Sequence, residues 1–87
     1  MDPLQSYRKQ IDEIDQKILS LFAKRNMLAK KIGAGKKKQH IPIIDKKREE
    51  EKMALLQKEG QKQNIDKDFV QVVWGAIFKA SYRMQNE

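Results

Sequence analysis

A single apolar stripe sets the terms for what this chain can fold into. Leu4, Tyr7, Ile11, Ile14, Ile18 and Leu21 follow one another at steps of three and four residues, and the stripe resumes at Leu28 and Ile32. This is the spacing of one face of an α-helix, with polar residues on the other faces. Asp2-Pro3 is a start signal, Asp as N-cap and Pro at the first helical position. Continued to about Lys37, the helix is roughly 50 Å long at 1.5 Å per residue. A chain of 87 residues cannot cover such a helix with what remains of it, so the uncovered seam predicts oligomerisation. Between Leu21 and Leu28 the stripe holds Arg25, where an apolar residue is expected. A guanidinium keeps its proton and is costly to bury unpaired. The spacing therefore calls for an anion at that point, either a carboxylate of the protein, with Asp45 and Glu49 as candidates, or a ligand.

Two more helices complete an all-α chain read as one domain over residues 1–87. Gly33 and Gly35 weaken the end of the first helix by roughly 0.5–1 kcal/mol each relative to alanine, and Pro42 breaks the chain nearby. Asp45 is placed to cap a second helix ending near Gly60, with thin apolar content in Met53, Leu55 and Leu56. A third helix is expected from near Asn64, with Asp66 and Asp68 at its positive end. It carries Phe69, Val70, Val73, Ile77, Ala80 and Met84 at helical spacing, and Trp74 and Phe78 on an adjoining strip.

Composition narrows the function. There is no cysteine and one histidine, His40, read as a loop residue; no metal or thiol chemistry is expected. Net charge is +7, which favours anionic partners. No apolar run reaches transmembrane length and no signal-peptide pattern opens the chain, so a cytoplasmic location is expected. Gly33-Ala34-Gly35-Lys36 lacks the spacing, the Ser/Thr and the preceding strand of a phosphate loop.

Polar residues recur on apolar stripes. Trp74, Phe78, Ser81 and Gln85 step by four, three and four, so an apolar strip turns polar at its end. Ser81 and Gln85 lie roughly 6 Å apart on one face. Asp45 and Glu49 are also one turn apart, with Arg48 adjacent. Lys36 lies eleven residues beyond Arg25, nearly on the same face and roughly 16 Å away, so both can close on a small molecule between them. Arg8 is roughly 25 Å from Arg25 along the axis. It can reach a pocket there only from another subunit. Each position has a plainer reading: Arg25 as a structural ion-pair member, Glu49 on a solvated face, Lys36 and Arg8 as surface charge, Ser81 and Gln85 at a fraying end.

Taken together, Arg8, Ala23-Lys24-Arg25-Asn26, Gly33 with Lys36, Pro42-Ile43-Ile44-Asp45-Lys46-Lys47-Arg48-Glu49, and Ser81 with Gln85 resemble the all-helical chorismate mutase family over essentially the whole chain. The resemblance implies an intertwined homodimer of three-helix chains, each site borrowing an arginine from the other subunit. It implies isomerisation of chorismate, a dicarboxylate, to prephenate by an intramolecular Claisen rearrangement that needs no cofactor. By the resemblance, Arg25 and the partner's Arg8 clamp carboxylates, Arg48 and Ser81 support them, Lys36 and Gln85 donate to the ether oxygen, Glu49 accepts from the ring hydroxyl, and the backbone near Asp45 orients it. Some relatives carry glutamate where Gln85 stands; an amide donates at every pH, so little activity should be lost between mildly acidic and neutral pH. Gly35 is expected to loosen the helix end and leave Lys36 to be ordered by substrate. The chain stops two residues after Gln85, so that residue is expected on a frayed turn and no fused dehydratase, dehydrogenase or synthase domain is expected within these residues; a free-standing enzyme and a domain of a larger protein both fit.

Three rival readings stand beside it. An isochorismate-pyruvate lyase shares the scaffold, the arginines, the lysine and the glutamine. A basic helical nucleic-acid-binding protein has Lys36-Lys37-Lys38 in its favour, but its basic residues are spread around the helices. A coiled-coil adaptor predicts that Arg25→Leu strengthens the dimer without functional loss.

Overall fold

In the computed structural model, which describes residues 2–87, the stripe and its start signal become helix α1, Pro3–Lys38. The Asp2 carboxylate accepts from the Leu4 amide at 3.0 Å, with Pro3 in the first turn. The helix runs through Gly33 and Gly35 without a break. It stops where His40 turns left-handed, at φ 57°. The Ile41 amide then reaches back to the Lys36 carbonyl at 2.8 Å and the His40 amide to Lys37 at 3.2 Å. This is the Schellman closure.

Helix α2 spans Lys46–Lys62, with the Asp45 carboxylate accepting from the Arg48 amide at 3.1 Å. The helix ends two residues beyond Gly60, near where it was expected to. Gly60 is buried inside it, where a Cβ would stand 3.1 Å from Val70 Cγ2, so it permits close packing. One expectation needs correcting. Asn64 does not begin the third helix. It sits at φ 60°, and the Ile65 and Asn64 amides close α2 on Gly60 and Gln61. Asparagine tolerates this backbone better than most residues. Helix α3, Lys67–Gln85, starts three residues later, behind Asp66, whose carboxylate accepts from the Phe69 amide at 3.0 Å.

Helices α1 and α2 each pack against α3 and not against each other, so they splay into two walls with α3 as the floor. The buried apolar residues are few: Ala29, Val70 and Phe78. Gly33 allows the tightest approach. A Cβ there would lie 2.7 Å from the Gln85 carbonyl carbon, inside contact distance. The molecule measures 57 × 25 × 15 Å with a radius of gyration of 16.3 Å, against about 12 Å for a compact chain of this length. The N-terminal half of α1 has no cover. Its stripe residues are exposed from 42% at Ile18 to 62% at Tyr7.

Candidate active site

The cleft between α1 and α2 collects most of the residues singled out by sequence. Arg25 and Lys36 reach it from α1, Asp45, Arg48 and Glu49 from the start of α2, and Ser81 and Gln85 from the end of α3. Leu28, Ala29, Ile32 and Phe78 supply apolar walls. The cavity measures about 380 Å³, the size of a small-molecule site. Arg8 is absent from it. It lies exposed near the far end of α1, seventeen residues and so about 25 Å from Arg25.

One end of the cleft is already wired. The Lys36 ammonium donates to the Ile43 carbonyl at 2.6 Å and to Gln85 Oε1 at 2.8 Å. An ammonium has three donors and accepts nothing. The contact therefore fixes the orientation of the Gln85 amide, with Nε2 turned toward Ser81 Oγ at 3.5 Å. Gln85 is only 5% exposed. The frayed turn expected for it is not found, because several contacts tie the end of α3 to α1. Lys30 pairs with Glu87 at 3.1 Å, Lys37 reaches the Asn86 and Glu87 carbonyls, and the Gly33 backbone lies against Gln85. Lys36 is likewise held without substrate, despite Gly35.

The middle of the cleft holds two carboxylates whose contacts are local. Asp45 caps α2, and Glu49 Oε2 accepts from the Tyr82 hydroxyl at 3.0 Å, with Lys46 at 3.9 Å. Burial chiefly raises the Tyr82 phenol above its ordinary value. The bond to Glu49 and the negative charges of Glu49 and Asp45 add to this, while a backbone bond at Asp45 opposes it. Tyr82 therefore stays a donor at neutral pH.

At the other end the charges are uncompensated. Among the described residues, no carboxylate lies within 4 Å of Arg25, Arg48 or Lys52. The reading of Arg25 as half of an ion pair with Asp45 or Glu49 is thus corrected: both carboxylates are engaged elsewhere. Lys52 was not singled out by sequence, although it stands one turn beyond Arg48 and lines the cleft. Burial first, then Arg25 and Arg48, lowers its pKa. Tyr82 was missed too, and its only sequence signal is adjacency to Ser81.

No group of side chains among the described residues is arranged to hold a metal ion, and no helix is long and apolar enough to cross a membrane. What the cleft offers is cationic and hydrogen-bonding groups around a small volume.

Comparison with known proteins agrees with the geometry. The family model for chorismate mutase type II matches residues 7–86. A chorismate mutase of Methanocaldococcus jannaschii is 33% identical over 87 residues, all of this chain and 88% of the relative. The T-protein of Haemophilus influenzae is 30% identical over the same length, which is 23% of that larger protein. A bifunctional chorismate mutase/prephenate dehydratase of Aquifex aeolicus is 47% identical over 51 residues, 59% of this chain and 14% of the relative. The chain thus spans nearly all of one relative and a quarter or less of the other two. With the match covering all but a few of its residues, the chain belongs to the chorismate mutase type II family.

Proposed function

We propose that the cleft between α1 and α2 is where this chorismate mutase converts chorismate to prephenate, acting as a homodimer. The observation that carries the reading is the pair of arginines, Arg25 and Arg48, that face the cleft without a carboxylate partner. A dicarboxylate supplies the missing anions, and the planar guanidinium fork suits them.

The reaction breaks the ether C–O bond of chorismate as a new C–C bond forms within the same molecule, so nothing is added or removed. What the protein must provide is the compact conformer and stabilisation of the charge growing on the ether oxygen. Arg25 and Arg48 hold carboxylate. Lys36, with two donors engaged by Ile43 and Gln85, has a third for the ether oxygen. Gln85 Nε2 is the second donor, kept facing the cleft by the Lys36 contact. Ser81 adds a hydroxyl donor. Glu49, steadied by Tyr82, accepts from the ring hydroxyl, and the backbone at Asp45 orients it.

Area and reach support the dimer. The chain exposes 7377 Å², whereas a compact monomer of 10.2 kDa exposes about 5300 Å². The surplus of about 2000 Å² per chain is of the order that obligate dimers bury, and the stripe from Leu4 to Leu21 is the apolar surface available. Antiparallel pairing of two α1 helices carries Arg8 of one chain toward the cleft of the other and completes the carboxylate clamp. The 87 residues act as one domain in this arrangement, and a cytoplasmic location belongs to the same reading.

The test is loss of chorismate absorbance with purified protein, prephenate identified as product, beside Arg25→Ala. The expected result is turnover by the wild type and a fall of about 100-fold or more in the variant. An inactive helical wild type, or pyruvate released from isochorismate instead, overturns the assignment.

A further inference from the structure

We infer that Lys52 is a substrate-binding residue, its ammonium joining Arg25 and Arg48 around a carboxylate of the substrate. The inference rests on the mutase reading and adds to it a residue that the spacing of the chain did not single out.

The geometry carries it. Lys52 lines the cleft from α2, one turn beyond Arg48, opposite the α1 wall that presents Arg25. No carboxylate of the described residues lies within 4 Å of it. The only acidic side chains in the cleft are Asp45, which caps α2, and Glu49, which holds Tyr82. Three cations thus crowd one end of a small cavity with no counter-ion, an arrangement that costs free energy until an anion enters. With Arg8 supplied by a second chain, the clamp holds four cations for a substrate with two carboxylates. Burial and the two arginines lower the pKa of Lys52, so the free cleft opposes its positive charge. A bound dianion reverses that, and binding favours the protonated lysine.

The sign of the pH effect follows. Lys52 loses its proton at a lower pH than a surface lysine, so the Michaelis constant should rise on the alkaline side as this cation is lost. The charged and titratable groups around it are Arg25 and Lys36 of α1, Asp45 at the cap, Arg48 and Glu49 of α2, and Tyr82 of α3. The Tyr82 phenol, raised by burial, also titrates in alkali, so variants must separate its contribution.

Steady-state turnover of chorismate is measured from neutral to alkaline pH for the wild type, Lys52→Met and Lys52→Arg, with circular dichroism as a check on folding and calorimetric binding of chorismate alongside. The expectation for Lys52→Met is a Michaelis constant raised about tenfold at neutral pH, with kcat changed much less. Lys52→Arg, which cannot lose its proton, should keep a near-wild-type value at neutral pH and show a smaller alkaline rise than the wild type. The wild-type and Lys52→Arg profiles decide the matter even where Lys52→Met fails to fold. An unchanged constant in Lys52→Met, equal damage in both variants, or an alkaline rise in Lys52→Arg as large as that of the wild type overturns the role of Lys52 while leaving the mutase reading intact. A wild type that neither turns over nor binds chorismate overturns both.

Discussion

As the proposed donor, Gln85 sets the pH range expected of the site. Its amide oxygen takes the Lys36 ammonium, and its nitrogen is left to donate. Neither atom titrates, so the amide itself donates at every pH. We expect kcat/KM to stay nearly flat between about pH 5 and 7, above the ordinary range of carboxylates. Gln85→Glu inverts this. A carboxylate beside an ammonium prefers its charged form and has no proton to donate. The variant should lose about 100-fold at neutral pH and recover on acidification, read from the pH profile of kcat/KM. A flat profile for the variant would remove Gln85 from the donor role. Most of this site was legible because its residues break a pattern. Arg25 interrupts an apolar stripe, and Ser81 and Gln85 end one. Lys52 and Tyr82 were not legible: each stands among polar or mixed neighbours, and only the approach of α1 and α3 shows that they face the same cavity.

Between elements, the decisive contact is α1 against α3 at Gly33. Read as sequence, Gly33 only weakens a helix. In the fold, its missing Cβ lets the Gln85 backbone lie against α1, which seats both Gln85 and the tip of Lys36. Propensity and packing therefore predict opposite signs for Gly33→Ala. Alanine gains up to about 1 kcal/mol as a helix former, but its methyl collides with backbone that cannot swing aside, and overpacking costs about 1–3 kcal/mol. Packing wins. We expect net destabilisation of about 1–2 kcal/mol in urea unfolding, and a fall in kcat larger than the stability loss alone implies, because the donor pair moves. Gly35, with open space around it, is the control, and Gly35→Ala should stabilise. Two helix starts were legible for the same kind of reason: Asp2 and Asp45 act within three residues of themselves. The ends at His40 and Asn64 depend on left-handed backbone at residues other than glycine, which sequence signals only weakly.

At the scale of the whole molecule, the chain is an incomplete object. It leaves the apolar stripe of α1 in water and keeps Arg8 about 25 Å from the cleft whose anion it would share. An antiparallel second copy resolves both, and this makes a prediction that no monomer satisfies. Arg8→Ala and Arg25→Ala should each be nearly inactive alone, since every site in either homodimer lacks one arginine. Unfolded together in equal amounts and refolded, they pair at random, and half of the dimers are mixed. In a mixed dimer, one site takes Arg25 from the first variant and Arg8 from the second and is whole, while the other site lacks both. About a quarter of wild-type activity should therefore return, far above either variant alone, and it should fall off when one variant is in large excess. Recovery no greater than the sum of the two parents would mean that each cleft works with its own chain only. Arg8 would then be surface charge, and the exposed stripe would need another partner.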